Sequence, residues 1–358
     1  MFGQLERYIA FEVIKGTLSA LAVLLTLLTF FSFADELGDL GKGRYGMKQI
    51  LTYLILILPR NFYELLAPAA LVGSLVTLGA LANHRELVAM QASGFSRLRI
   101  IRSVLLGGVL LLLLSISIGE LVAPPAERAA QNLKSISQTD QVSSRSRFGF
   151  WVRDGNIFIN IRSIFEQQKL GRISIYDVGE NQHLLKATQA KQALHTGLQW
   201  RLKEIRTTVF GEQEVQTEHF EDADWASVLE PNLLNAFVIR PENLSVVELL
   251  HYMEYLRENG QASRLVEQAF WGRIVNPLAT LIMLLAAVPF VMSVRREVGT
   301  AQRVIAGVVI GLGFHLFDKM FAHLGLVYEL DPLFAVAFPG ILTFAMVLGF
   351  FWRLHLTR

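Results

Sequence analysis

Charged residues stand at the ends of several long apolar stretches of this chain: Asp35, Glu36, Lys42, Arg44, Arg60, Glu64, Glu120, Arg128, Lys134 and Asp318-Lys319. Any one of them reads as a side chain that snorkels into a headgroup layer. Taken together, all of them would ring an outward mouth with mixed charge. Such a ring suits a charged amphiphile better than a conducted ion, because no carboxylate falls at mid-span to form a relay. Enzyme chemistry finds little support. "GDLGKG" (38–43) has the glycines of a phosphate loop at the wrong spacing, and Gly43 stands where Ser or Thr should hold magnesium. There is no His-Glu-x-x-His, and His315 and His323 have only Asp318 between them, so packing or interfacial histidines are the plainer reading. No Gly-x-Ser-x-Gly elbow occurs. The sequence offers no catalytic residue, and neither a metal nor a cofactor site of its own.

A different signal lies in "NHRELVAMQASGFSRLRI" (83–100). Asn83 and Glu86 have the spacing of a reciprocal capping box. Leu87, Val88 and Met90 supply an apolar side, and Ser93-Gly94 a stop, because glycine takes the left-handed conformation that ends a helix. The expected product, over 83–94, is about three turns, too short to cross a bilayer of roughly 30 Å. The residues by themselves favour an amphipathic helix resting on the membrane.

Composition places these features in a membrane protein. Of 358 residues, 52% are hydrophobic and 18% charged, with mean hydropathy +0.40; soluble chains carry about 25% charged residues. A net charge of +2 gives no reason to expect a nucleic-acid partner. Cysteine is absent, which excludes disulfides and thiolate metal sites. Six segments have the length and apolarity of transmembrane helices, about 16–34, 62–82, 101–123, 273–293, 303–323 and 333–352. The first reads as a span rather than a cleaved signal. Before the second, "MKQILTYLILILPR" is amphipathic and interrupted by Pro59, so it either lies near the outer surface or extends the span.

Short-loop arginines set the expected orientation. Arg85, Arg97, Arg99 and Arg102 link spans two and three, Arg295 and Arg296 link spans four and five, and Arg353 and Arg358 end the chain. Both termini are therefore expected in the cytoplasm. In the fifth span, Gly307-x-x-x-Gly311 would admit a close neighbour, either within the chain or from a partner. Phe314, Phe317 and Phe321 form a stripe on the same helix that fits core packing, lipid contact or a lumen.

Between spans three and four the period changes. After a polar helical stretch at about 126–140, "NIFINIR", "RISIY" and "LQWRLK" alternate apolar and polar residues, with turn signals at Asp154-Gly155-Asn156, Gly179, Thr196-Gly197 and Gly211. This reads as an all-β sandwich or open roll, followed by a helix in "SVVELLHYMEYLREN". The expected fold is membrane α-helical, with an inserted all-β, jellyroll-like periplasmic domain between helices three and four. Its parts are 1–135, 136–245 and 246–358.

The whole chain resembles the LptF/LptG (YjgP/YjgQ) permeases of lipopolysaccharide export, and looks closer to the LptG branch. "RELVAMQASGFSRLRI" carries the resemblance most strongly; "GELVAPPAE" after span three, "NPL" in span four and "LVYELDP" before span six agree with it. The resemblance implies a non-catalytic permease subunit of an ABC transporter in the bacterial inner membrane. It implies an LptF paralogue as heterodimer partner, an LptB ATPase dimer that binds ATP and Mg, LptC, and LptA through a periplasmic bridge. The short helix becomes a coupling helix for the ATPase, with Glu86, Leu87, Met90, Gln91, Ser93, Gly94 and Phe95 as its residues. Asp35, Lys42, Arg44, Arg60, Arg128 and Lys134 become candidates for the lipopolysaccharide headgroup. Where family members carry lysines at the outer end of span one, this chain has Ser32, Gly38 and Asp39. Spans one and five would line an acyl-chain cavity with Leu25, Leu28, Phe31, Phe314, Phe317 and Phe321. The competing reading is a membrane-anchored extracytoplasmic sensor or binding protein, which leaves the short capped helix without a purpose.

Overall fold

The computed structural model describes residues 3–139, 150–166, 169–179, 183–196, 199–211, 214–225, 240–293 and 300–356. Its contacts divide into a helical unit (Met1–Asp35, Leu54–Glu127, Arg264–Arg358) and a sheet unit (Glu36–Tyr53, Arg128–Ser263). Arg295, Arg296 and Arg358, used above for orientation, and Leu198 of "LQWRLK", lie outside the described residues.

Helices α1 (Gln4–Leu37), α2 (Met47–Asn83), α3 (Glu86–Ala92) and α4 (Arg97–Ser117) come first. A π-helical turn, Ile118–Val122, joins α4 to α5 (Ala123–Thr139). After the strands come α6 (Val246–Glu258), α7 (Arg264–Ser293), α8 (Thr300–Val327) and α9 (Pro332–Leu356). Six of the helical runs are long and apolar enough to cross a membrane, as the hydropathy pattern requires. They are longer than the apolar segments alone. α1 begins at Gln4 because Ile9, Ala10 and Val13 already find buried positions there. α2 absorbs the amphipathic stretch before it: Pro59 and Pro68 both lie inside one continuous helix, so Pro59 interrupts nothing. Each proline removes one backbone bond, a loss that neighbouring helices in a membrane can absorb.

The helical unit is built on α2, whose most apolar window is 67% buried against 11% each for α1 and α8. Small residues set the crossings. A Cβ on Gly73 would lie 2.4 Å from the backbone of Gly16, so α1 and α2 touch main chain to main chain. Gly307 packs on Val72 and Leu75, and Gly311 on Pro68. The Gly-x-x-x-Gly stripe is thus used within the chain, between α8 and α2. α7 packs against α4 and α9. Its Arg273 donates to the carbonyl of Gly119 at 2.9 Å, inside the π turn where the regular ladder is disturbed.

In the sheet unit, six strands pair in sequence order as one antiparallel sheet: β1 (Phe150–Asp154), β2 (Ile157–Glu166), β3 (Lys169–Val178), β4 (Leu184–His195), β5 (Trp200–Phe210) and β6 (Val215–Trp225). The alternation seen in sequence becomes a buried face of Ile159, Ile161, Ile173, Trp200, Leu202 and Ile205. Gly155 turns the first hairpin with φ +56°. α6 belongs with this sheet by its contacts: the Tyr255 hydroxyl donates to the Arg153 carbonyl at 2.6 Å, and Asn259 accepts from the amide of Gly155 at 3.0 Å.

Candidate functional site

α3 forms, with seven residues in two turns rather than three, and its start differs from the sequence expectation. Asn83 is the last residue of α2, so its backbone is helical and cannot serve as an N-cap. The turn is made instead by Arg85, at φ +62°, and no side chain caps α3. Both members of the expected capping box are used elsewhere. Asn83 Oδ1 accepts from Arg303 Nη2 of α8 at 3.0 Å, and the Glu86 carboxylate accepts from the Tyr8 hydroxyl of α1 at 3.0 Å.

The far end is as expected. Gly94, at φ +90°, donates to Gln91 O and Phe95 donates to Met90 O, both at 3.0 Å, a Schellman stop. Leu87, Met90 and Phe95 are buried in one cluster with Ile9 and Val13 of α1, Leu78 and Leu81 of α2, Ile100 and Val104 of α4, and Leu284 and Val288 of α7. Val88, placed on the apolar side from sequence, is 48% exposed instead. It joins Arg85, Gln91 and Ser93 on the outer face, with Leu98 beyond. The seven residues assigned to coupling therefore divide: Leu87, Met90 and Phe95 hold the helix down, Gly94 ends it, and Gln91 and Ser93 remain accessible, with Glu86 half-buried.

Most of the headgroup candidates are already paired. In the helical unit, Arg60 reaches Glu64 at 3.1 Å and Glu127 at 3.4 Å, and Asp35 is exposed. In the sheet unit, the Lys134 ammonium contacts both carboxylate oxygens of Glu36, at 2.7 and 2.9 Å, and Asp39 at 2.9 Å. Glu36 also accepts from the buried hydroxyl of Tyr45 at 2.9 Å. Asp39 takes a further bond from Lys42 at 2.5 Å. The Lys42 and Lys134 ammonium groups hold the Asp39 carboxyl well below the usual carboxylate range. Burial, with the Glu36 carboxylate beside it, pushes the Tyr45 phenol up. Arg128 pairs with Glu248 of α6. Arg44 is exposed and enters no ion pair among the described residues; its amide donates to Ser137 O at 2.6 Å. Lys48 is exposed as well. Two glycines of "GDLGKG" serve the chain's path: Gly41 has φ +86°, and a Cβ on Gly43, at φ +59°, would lie 2.6 Å from the carbonyls of Ser137 and Gln138.

The acyl-chain candidates fall into separate groups. Leu25 packs on the cluster that holds α3, and Phe31 is exposed, edge-on to Phe30 at 6.0 Å. Leu28 is half-buried. Phe314 sits against Leu71, Leu75, Met283 and Ala287. Phe317 and Phe321 join Phe334 and Phe338 of α9, with Phe321 stacked on Phe338 at 4.5 Å. That half of the phenylalanine stripe is interhelical packing within the chain. Sequence reasoning passed over Tyr8, Glu127, Glu248 and Arg303. Two of them had a readable signal: Glu248 in the Ser245-x-x-Glu248 spacing of a capping box, and Arg303 in lying one helical turn before Gly307 on the stripe that meets α2.

Six helices long and apolar enough to span, an antiparallel sheet inserted between them in sequence and a short helix seated on the helical unit define a multi-pass membrane protein with an inserted β unit. Residues 7–353 match the family described as lipopolysaccharide export system permease LptF/LptG, and the chain belongs to that family. It is 31% identical over 355 residues to the lipopolysaccharide export system permease protein LptG of Escherichia coli K12, covering 98% of this chain and 99% of that one. It is 29% identical over 361 residues to the protein of the same description from Haemophilus influenzae, covering 100% of both.

Proposed function

We propose that the chain is a lipopolysaccharide export permease subunit of the inner membrane, driven by a separate ATPase docked on α3. Both termini and α3 lie in the cytoplasm and the sheet in the periplasm. An LptF-type paralogue pairs with the chain, LptB-type subunits bind ATP and Mg, and LptC and LptA receive the lipid. One observation carries the docking role: α3 is fixed from beneath by Leu87, Met90 and Phe95 while Val88 and Gln91 stay exposed. Such a helix can be pushed from outside without peeling off.

The passenger explains the need for an engine. Each buried CH₂ contributes about 0.8 kcal/mol, so a fourteen-carbon chain resists entry into water by about 11 kcal/mol. A lipid with several such chains leaves the bilayer only through a continuous apolar path. The weakly buried distal part of α1 and the outer face of α8 are the surfaces from which this chain and its paralogue would build one. Phosphates of the lipid meet Arg44 and Lys48 first, while Lys134, Lys42, Arg60 and Arg128 take part only by exchanging a carboxylate for a phosphate.

The test is reconstitution of the complex purified through this chain from its native host. The expected result is co-purification of an ATPase and a paralogue, and ATP-driven release of lipopolysaccharide that Glu86→Lys abolishes. A chain that purifies alone, or release unaffected by Glu86→Lys, overturns the reading.

A further inference from the structure

The joint between α2 and α3 consists of His84 and Arg85, and Arg85 holds the left-handed conformation that costs an L-residue energy. The residues flanking this joint each send a side chain to a different helix. Upstream, Asn83 accepts from Arg303 of α8. The arginine is 6% exposed, and its guanidinium fills the space above Gly79, where a Cβ would lie 2.4 Å from Nη1. Its charge also lies at the C-terminal end of α2, where the helix dipole favours a cation. Downstream, Glu86 accepts from Tyr8 of α1. α1 and α8 are the two spans with least burial inside the chain, at 11% of their most apolar windows.

We propose that Arg303 and Tyr8 are positioning residues that tie the two ends of the His84–Arg85 joint to α8 and α1, delivering any displacement of α3 to both helices. This rests on the reading of α3 as the ATPase dock. Apolar side chains along α2 can slide past their neighbours, whereas a directed hydrogen bond between a buried guanidinium and an amide oxygen fixes register. Gly79 is part of the device, because a Cβ there would press on Arg303 and force its side chain to shift. The Tyr8–Glu86 bond is exposed, so it is the weaker of the two ties.

The experiment uses the complete transporter in proteoliposomes and measures ATP hydrolysis and lipopolysaccharide released per ATP. Arg303→Gln and Asn83→Ala, which remove the same bond from opposite ends, should each lower release per ATP at least threefold with hydrolysis within twofold of wild type. Tyr8→Phe should lower it by less than twofold. Combining Arg303→Gln with Asn83→Ala should add little, as expected for one shared contact. Arg303→Lys with Asn83→Asp, which restores a charged pair, should recover most of the loss. Unchanged release per ATP in both Arg303→Gln and Asn83→Ala, with wild-type release intact, overturns the tether and leaves the functional reading standing. So does a loss that matches a loss of assembled complex and that the Lys/Asp pair fails to rescue. A wild-type complex without ATP-driven release removes the functional reading, and the tether with it.

Discussion

At Lys134, one ammonium is shared between Glu36 and Asp39 at 2.7 to 2.9 Å, and Tyr45, Lys42 and Gln138 donate to the same two carboxylates. At α3, Gln91 and the preceding Arg85 are exposed beside a helix fixed by Leu87, Met90 and Phe95. Both regions came from sequence as candidate contact sites. The difference is in what holds each together. Around Lys134 the charged groups are themselves the structure, so a ligand must compete with a carboxylate that is already in place. In α3 the apolar groups are the structure, and the polar ones are left accessible to a partner. Residue type alone does not distinguish a binding cation from a structural one; its counter-ion does.

This contrast can be broken most severely at Lys134. Lys134→Ala leaves Glu36, 8% exposed, without its cation. Removing one partner of a buried pair costs about 3–5 kcal/mol, and the partly exposed Lys134 puts this pair at the low end. Backbone amides of 36–53 should lose hydrogen-exchange protection, while Arg44→Ala and Lys48→Ala should leave protection unchanged and weaken lipopolysaccharide binding. The opposite pattern would make Lys134 the ligand-binding cation.

Next in size is Phe95→Ala, which empties a buried position beneath α3 and should destabilise its seating by about 3 kcal/mol. Gln91→Ala, on the exposed face, should stay within about 0.5 kcal/mol. Limited proteolysis near 85–96 reads both. Gly94→Ala is smaller: nothing lies within 4 Å of an added Cβ, so only the left-handed backbone costs, about 1–2 kcal/mol.

The smallest effect is with pH. Because the folded-state pKa of Asp39 lies below its ordinary 3.8, the stabilisation it gives the sheet unit is complete above that value. It is lost as pH falls from there through the folded-state value. Exchange protection of 36–53 should fall on acidification, and Asp39→Asn should flatten the dependence.

The two capping sequences show what the letters can and cannot carry. Ser245 and Glu248 form a complete box, because Ser245 is itself extended, at ψ +163°, immediately before α6 and so is free to cap it. Asn83 and Glu86 have the same spacing, but α2 runs through Asn83 and the box is lost. The difference lies in where the preceding helix stops, and Arg303 of α8, more than two hundred residues away in sequence, binds Asn83 at that end. The six spans, the sheet and the Gly94 stop were legible because each follows from a local period or a single glycine. The ion pairs of Arg60 with Glu127 and Arg128 with Glu248 were not, since they depend on long-range packing.

The chain has no cysteine, so one introduced thiol reports a single position. A short bifunctional maleimide–amine crosslinker applied to native membranes carrying Val88→Cys or Met90→Cys addresses the docking face of α3 directly. The account predicts that Val88→Cys joins a nucleotide-binding subunit and that Met90→Cys, buried beneath the same helix, does not. Val88→Cys that labels fully with a water-soluble maleimide in those membranes, yet captures no ATPase, would contradict it.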